Sequence, residues 1–129
     1  MKTNHIRFAL ALAALFVVPV TVAAQAKSDA LPAGVTPKMI ADGEALFKGA
    51  GTCFACHGQE AKGVPNLGAD LTDKEWVHGD GSYKAIVKTI TEGTQAKTGA
   101  VMPPKGGGAL TDAQVKAVAA YVWSLSHGK

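Results

Sequence analysis

Two cysteines and a histidine lie within five consecutive residues, Cys53-Phe54-Ala55-Cys56-His57. Two thiols separated by two residues lie on one turn of backbone, so each could add to one of the two vinyl groups of a haem. The adjacent imidazole would then face the iron as its proximal ligand. This spacing is typical of c-type haem attachment, and the chain has no other cysteine. The sequence therefore predicts one covalently attached haem c.

Three other roles for the cysteine pair fit the sequence less well. A disulfide between the two would close a very small loop and add little stability. A redox-active pair would stand within a βαβ pattern, and no strand pattern surrounds this one. A zinc site would need further cysteine or histidine residues at ligand spacing, whereas the remaining histidines are scattered.

A second iron ligand is predicted on the far side of the haem, because six-coordinate electron-transfer haems use both axial positions. Met102 lies in a long irregular segment and is followed by Pro103 and Pro104, which stiffen the backbone beside it. A thioether ligand favours ferrous iron and raises the reduction potential. We therefore expect His57 to be the proximal ligand and Met102 the distal ligand.

Other residues could take the distal position. Met102 could instead pack over apolar surface, as loop methionines do. His78 stands beside a glycine and an aspartate, a setting typical of a solvated turn residue. His127 is close to the C-terminus, where the chain tends to fray, and Met39 has the position of a core residue in a helix.

The N-terminus has the pattern of a secretory signal. Basic residues precede an apolar stretch that runs from Phe8 to Val18, and small residues follow. We expect residues 1–26 to be a signal peptide, with cleavage after Ala24 or Ala26. The mature protein would then be exported to a bacterial periplasm.

An uncleaved membrane anchor is the alternative to cleavage. The apolar stretch is short for a membrane span, and Pro19 interrupts it. We therefore expect no membrane span in the mature chain. Residues 27–129 would form a single haem domain, with a frayed start that extends to about residue 35.

The charge of the mature chain excludes a nucleic-acid partner. The whole chain carries a formal charge of +3, but Lys2 and Arg7 would leave with the signal peptide and bring it to about +1. The mature chain would then contain no arginine. A charge this small gives no electrostatic attraction to phosphates.

Helical signals begin before the cysteine motif, and no convincing strand pattern occurs. Thr36 and Pro37 have the types expected at the N-cap and first position of a helix that Gly49 to Gly51 would end. Thr72-Asp73-Lys74-Glu75 has the pattern of a capping box, which predicts a short helix through Val77.

Two more helices are predicted further along the chain. Ser82 is the expected N-cap of a helix that Gly93 ends, and Thr111 with Gln114 forms a capping box for the last helix. Residues 94–109 lie between them without periodicity. We predict an all-α domain of about four short helices wrapped around the haem.

The arrangement of an early C-x-x-C-H motif and a late methionine resembles the small bacterial monohaem members of the cytochrome c family with His/Met ligation. The resemblance covers most of the mature domain. It implies the cytochrome c fold, in which the N-terminal and C-terminal helices cross closely. Gly43 and Phe47 match the family positions on the first of these helices, and Val118 and Tyr121 match those on the second.

The same resemblance implies residues that support the haem. Gly63-Val64-Pro65-Asn66-Leu67 looks like the family segment whose proline carbonyl accepts a hydrogen bond from the proximal histidine, which here would make Pro65 the partner of His57. Leu67 and Trp76 would contact the haem, with the Trp76 indole N–H directed to a propionate. A plain loop proline and a half-buried core tryptophan are the alternatives.

Three functions follow from these expectations. The first is a periplasmic one-electron carrier, a monomer that exchanges electrons with donor and acceptor proteins and is not itself an enzyme. The second is a haem-bearing electron-transfer subunit docked in a terminal oxidase or a periplasmic dehydrogenase. The third, a haem that reacts with peroxide or a small gas, requires an open coordination position.

Overall fold

The computed structural model describes residues 30–95 and 100–128, so the predicted signal peptide lies outside the described residues. Within these ranges the chain forms helices and turns without a regular strand. None of these helices is long and apolar enough to cross a bilayer. The elements are α1 (Pro37–Lys48), α2 (Phe54–His57), α3 (Tyr83–Glu92), a 3₁₀ turn (Pro104–Gly107) and α4 (Asp112–His127).

Short polar side chains begin the three longer helices, as the sequence predicts. The Thr36 hydroxyl accepts a hydrogen bond from the Met39 N–H at 3.2 Å, and Ser82 does the same for Ala85 at 3.2 Å. Thr111 begins α4 with a complete capping box, which satisfies two backbone donors that the helix leaves free. These predicted helix starts are confirmed.

Helices α1 and α4 cross at very short range, and a glycine makes this possible. Gly43 is buried in α1, and a Cβ atom at that position would overlap the Ala117 carbonyl of α4. One turn away, the Phe47 and Tyr121 rings meet edge to face with centroids 5.4 Å apart. The close crossing expected from the resemblance is therefore present.

The short helix predicted over residues 72–77 is absent, because nearby carboxylates take the backbone donors that would start it. The Asp70 carboxylate accepts from the Thr72 N–H at 2.7 Å. The Asp73 carboxylate accepts from the Glu75 N–H at 2.9 Å, and this N–H is the donor that a Thr72 cap would have used. Turns closed by aspartate side chains thus replace the helix.

The beginning of the described chain is more ordered than the frayed start predicted from the sequence. The Val35 N–H donates to the Pro32 carbonyl at 2.9 Å, which closes a turn just before α1. Val35 itself is buried. This turn leads the chain directly into the Thr36 cap.

Candidate functional site

A cleft of about 430 Å³ opens between α2, α3, α4 and the loops that join them. Both cysteines of the C-x-x-C-H motif, His57 and Met102 line this one cleft. Its walls are mostly apolar and include Phe47, Leu71, Ile86, Ile90, Val118 and Val122. The volume lies in the range of cofactor pockets. The structure thus brings all four chemistry-bearing side chains of the sequence prediction together.

The one-turn helix α2 presents the cysteines. The His57 N–H donates to the Cys53 carbonyl at 3.0 Å, so the motif is wound into a single turn. The Cys53 thiol is half-buried 3.4 Å from the Gly51 carbonyl oxygen, whereas Cys56 is exposed. Burial raises the pKa of the Cys53 thiol, so it keeps its proton at neutral pH. Both cysteines are free.

The His57 ring is oriented by a backbone carbonyl. Its Nδ1 lies 2.8 Å from the Ala69 oxygen, and because a carbonyl can only accept, Nδ1 must carry the proton. The lone pair of the imidazole is therefore on Nε2, the atom available to bind a metal. Phe47 packs near the same ring with centroids 6.5 Å apart, which restricts it further.

The prediction that Pro65 accepts this hydrogen bond is wrong. Residues 64–68 form a tight turn, in which the Val64 N–H donates to the Gly68 carbonyl at 2.9 Å. This turn leaves Pro65 exposed at its tip and brings the next residue, Ala69, beside His57. Gly68 allows the approach, because a Cβ atom there would overlap the Cys56 carbonyl group.

Substitutions in this turn distinguish the two acceptors. Pro65→Ala is expected to leave the reduction potential of the haem-loaded protein unchanged, since Pro65 is exposed and the His57 Nδ1 hydrogen bond goes to Ala69. Gly68→Ala is expected to shift the potential, because its new methyl group would push the Ala69 carbonyl away from His57 and weaken the hydrogen bond. Potentiometric titration measures both, and a shift in the Pro65 variant with none in the Gly68 variant would restore the original assignment.

Met102 is held against the end of α3. Its N–H and carbonyl both pair with Thr94, at 3.1 and 2.8 Å, in an isolated antiparallel bridge. Gly93 makes room for this bridge with a φ of 73°, and a Cβ atom there would overlap the Met102 carbonyl. The half-buried Met102 side chain lies in the cleft lining that also contains His57.

The other predicted contacts fall at the margin of the same cleft. Leu67 and Trp76 both line it; Leu67 is 48% exposed and Trp76 is half-buried. His78 also lines the cleft, which makes it more than the solvated turn residue expected. His127 lies away from the cleft and is stacked on Trp123, with ring centroids 4.5 Å apart, rather than frayed.

Sequence reasoning missed the cleft walls contributed by α3 and α4. Ile86 and Ile90 of α3 and Val118 and Val122 of α4 line the cleft, but nothing local in the sequence indicates that these two helix faces meet at one cavity. Their spacing of four residues in both helices is the available signal. It identifies a buried face without identifying the group that the face covers.

The residues of the cleft fit a c-type haem. Cys53 and Cys56 could form the two thioethers, each by adding its sulfur and hydrogen across a vinyl double bond. His57 offers Nε2 with its tautomer already set by Ala69, and Met102 offers a soft sulfur. The apolar walls would exclude water from the bound group. No group of three or more metal-ligating Cys, His, Asp or Glu side chains occurs among the described residues to suggest another metal.

Comparison with known proteins gives a family match over most of the domain. Residues 38–122 match the family model described as cytochrome c oxidase, cbb3-type, subunit III. The matched range begins inside α1 and ends inside α4, and it includes every residue placed in the cleft above.

Two curated relatives share substantial sequence with the chain. The cbb3-type cytochrome c oxidase subunit FixP of Bradyrhizobium sp. (strain ORS 278) is 44% identical over 78 residues, which is 60% of this chain and 25% of FixP. Subunit CcoP of Rhodobacter capsulatus is 39% identical over 94 residues, 67% of this chain and 29% of CcoP. The chain thus matches between a quarter and a third of the length of these relatives.

A solved structure has a similar fold. Cytochrome cL from the marine methylotrophic bacterium Methylophaga aminisulfidivorans superposes with a TM-score of 0.53 and 27% sequence identity. The match covers 68% of this chain and 53% of that protein.

Proposed function

Since the chain belongs to the family of cytochrome c oxidase, cbb3-type, subunit III, we propose that it is a haem-bearing electron-transfer subunit of a terminal oxidase. The observation that carries this proposal is the convergence of Cys53, Cys56, His57 and Met102 on one apolar cleft within the matched residues. The relatives are themselves cbb3-type oxidase subunits, which supports the docked subunit over the free carrier. The free carrier was the first expectation from the sequence.

The broader predictions from the sequence are confirmed. Membership of the cytochrome c family and the all-α cytochrome c fold follow from the family match and from the similarity to cytochrome cL. Electron transfer by a covalently bound haem c is the function of such a domain. We propose one haem for this chain, since its sequence contains a single C-x-x-C-H motif.

Each residue of the cleft has a role in this function. A bound haem supplies one-electron oxidation and reduction at its iron. Cys53 and Cys56 would hold it by thioether bonds, and His57 and Met102 would supply the ligands to its iron. The Ala69 carbonyl keeps the His57 ring in one orientation at 2.8 Å, and the Thr94 bridge keeps Met102 in place. Ligands that do not move between oxidation states lower the reorganisation that each electron transfer requires.

The setting of the domain is part of the proposal. We propose that the haem domain functions on the periplasmic side, with its donor and acceptor both redox proteins. The leader pattern at the N-terminus supports export.

Affinity purification tests the docked subunit. The full chain, tagged at its C-terminus and expressed in its source bacterium, is expected to co-purify from detergent-solubilised membranes with the catalytic subunits of an oxidase. Mass spectrometry identifies the co-purified subunits, and oxygen consumption shows that they form a working oxidase. A chain recovered alone as a monomer in the soluble periplasmic fraction, with its haem reducible by a soluble donor, would instead establish the free carrier.

A variant of the same tagged chain separates assembly from electron flow. Met102→Ala is expected to co-purify with the same subunits, because Met102 contacts the loop beside α3 and lies in the haem cleft. Oxygen consumption by that preparation is expected to fall, since the distal ligand is gone. Unchanged oxygen consumption would show that electrons do not pass through this haem.

A further inference from the structure

Lys105 stands in an unfavourable backbone conformation three residues after the proposed distal ligand. Its φ of 54° and ψ of 27° lie in the left-handed region, where a side chain is normally disfavoured. The next two residues, Gly106 and Gly107, also have positive φ and are glycines, as that region favours. A turn with only a conformational requirement would suit glycine at position 105 as well.

The Lys105 side chain makes contacts that a glycine could not. Its ammonium donates to the Leu110 carbonyl oxygen at 2.8 Å and pairs with the Asp112 carboxylate at 3.2 Å. The side chain is 30% exposed, so these interactions are partly shielded from water. Leu110 and Asp112 flank the Thr111 cap of α4, and Leu110 is buried. The ammonium therefore joins the methionine loop to the start of α4.

Met102 thus lies between two attachments. On one side the Thr94 bridge joins it to the end of α3. On the other side the chain runs through Pro103 and Pro104 into the turn that Lys105 fastens to α4. Helix α4 carries Val118 and Val122 of the cleft wall, so this second attachment sets the loop against the wall that faces it.

We propose that Lys105 is a positioning residue for the distal ligand, holding the Met102 loop closed over the haem through its contacts with Leu110 and Asp112. The proposal rests on the proposed function, since it requires that Met102 ligates the iron. Losing the ammonium would release the loop from α4 and increase the fraction of molecules in which the thioether has left the iron. An external ligand can then enter the vacated position.

Imidazole binding to the ferric, haem-loaded protein measures that fraction. The apparent affinity for imidazole increases in proportion to the population with an open position. Lys105→Met keeps the aliphatic stem and removes the ammonium, and it is expected to bind imidazole roughly tenfold more tightly than the wild type. Lys105→Arg keeps a cation at the same place and is expected to restore most of the wild-type affinity.

Lys105→Gly distinguishes the side-chain contacts from the shape of the turn. Glycine relieves the strain of the left-handed backbone at position 105. If Lys105 mattered only for the conformation of the turn, this variant would bind imidazole no more tightly than the wild type. Our proposal predicts tighter imidazole binding despite that relief. Lys88→Met is the matched control, because the Lys88 side chain is 71% exposed on α3, pairs with Glu92 and does not line the haem cleft. It is expected to bind imidazole as the wild type does.

The outcomes separate this proposal from the proposed function. A wild-type spectrum without thioether ligation would overturn Met102 as the ligand and with it the role of Lys105, whereas the docked subunit is tested separately by co-purification with the oxidase. A wild type with thioether ligation whose Lys105→Met and Lys105→Gly variants bind imidazole no more tightly would overturn the role of Lys105 alone. If one of the two variants does not accumulate as folded protein, the other gives the answer, and Asp112→Asn is expected to show a smaller increase in the same direction.

Discussion

Met102→Ala is expected to open the haem iron and lower its reduction potential. Alanine has no donor atom, so carbon monoxide should bind the ferrous variant readily, whereas a six-coordinate wild type should bind it slowly or weakly. The potential should fall by on the order of 0.1 V or more, because the soft sulfur that favours ferrous iron is lost. Optical spectra with and without carbon monoxide, and potentiometric titration, measure the two effects.

Two further variants make this test specific. Met39→Ala removes a methionine from α1 that does not line the cleft, and it should leave both carbon monoxide binding and potential unchanged. His78 does line the cleft, so it is the rival ligand. If the Met102→Ala variant binds carbon monoxide no more readily than the wild type and the His78→Ala variant binds it freely, then His78 is the distal ligand.

The same measurement bears on the third function that the sequence left open. A wild-type protein that already binds carbon monoxide freely would have an open or labile position. That result would contradict a haem used solely for electron transfer and would favour reaction with peroxide or a small gas.

Gly43→Ala is expected to destabilise the domain, although alanine is the better helix former. Glycine in a helix interior normally costs about 1 kcal/mol relative to alanine, so propensity alone predicts a more stable protein. Here the added methyl group would overlap the backbone of α4, with the Ala117 carbonyl carbon 2.6 Å from the new atom. Backbone cannot rotate away as a side chain can, so α1 and α4 must separate.

The expected loss is about 3 kcal/mol, at the upper end of the usual cost of overpacking. For a domain of this size that corresponds to a fall in Tm on the order of 15 °C. Far-UV circular dichroism of the haem-loaded protein during heating measures it. Ala45→Gly on the exposed side of α1 is the control for propensity and should cost about 1 kcal/mol. A higher Tm in Gly43→Ala would contradict the close crossing.

The predictions that succeeded depend on short-range signals. A hydroxyl at Thr36, Ser82 or Thr111 accepts from an N–H three residues later, so the bond is encoded within one turn of sequence. The C-x-x-C-H motif is equally local. The close packing of Gly43 against α4 was predicted from the family resemblance, because no local sequence pattern indicates which helix a glycine packs against.

The predictions that failed depend on the path of a loop, which short-range sequence signals do not determine. The acceptor for His57 had to be chosen among several carbonyls, and the turn at residues 64–68 decides in favour of Ala69. The helix predicted to begin at Thr72 does not form, because the Asp70 and Asp73 carboxylates accept hydrogen bonds from the backbone N–H groups that would begin it. Lys105 was not singled out at all, since its partners Leu110 and Asp112 become visible only when the turn is folded.

The hydrogen bond from His57 to the Ala69 carbonyl makes the proximal ligand insensitive to the identity of residue 69. A backbone oxygen remains present whichever side chain that position carries, so most substitutions at Ala69 would conserve the basicity of the imidazole. The vulnerable position is the neighbour, Gly68, where any side chain meets the Cys56 backbone. Substitutions at residue 69 are therefore expected to change the redox potential of this haem domain little. Substitutions in the loop that carries Met102 are expected to change it more.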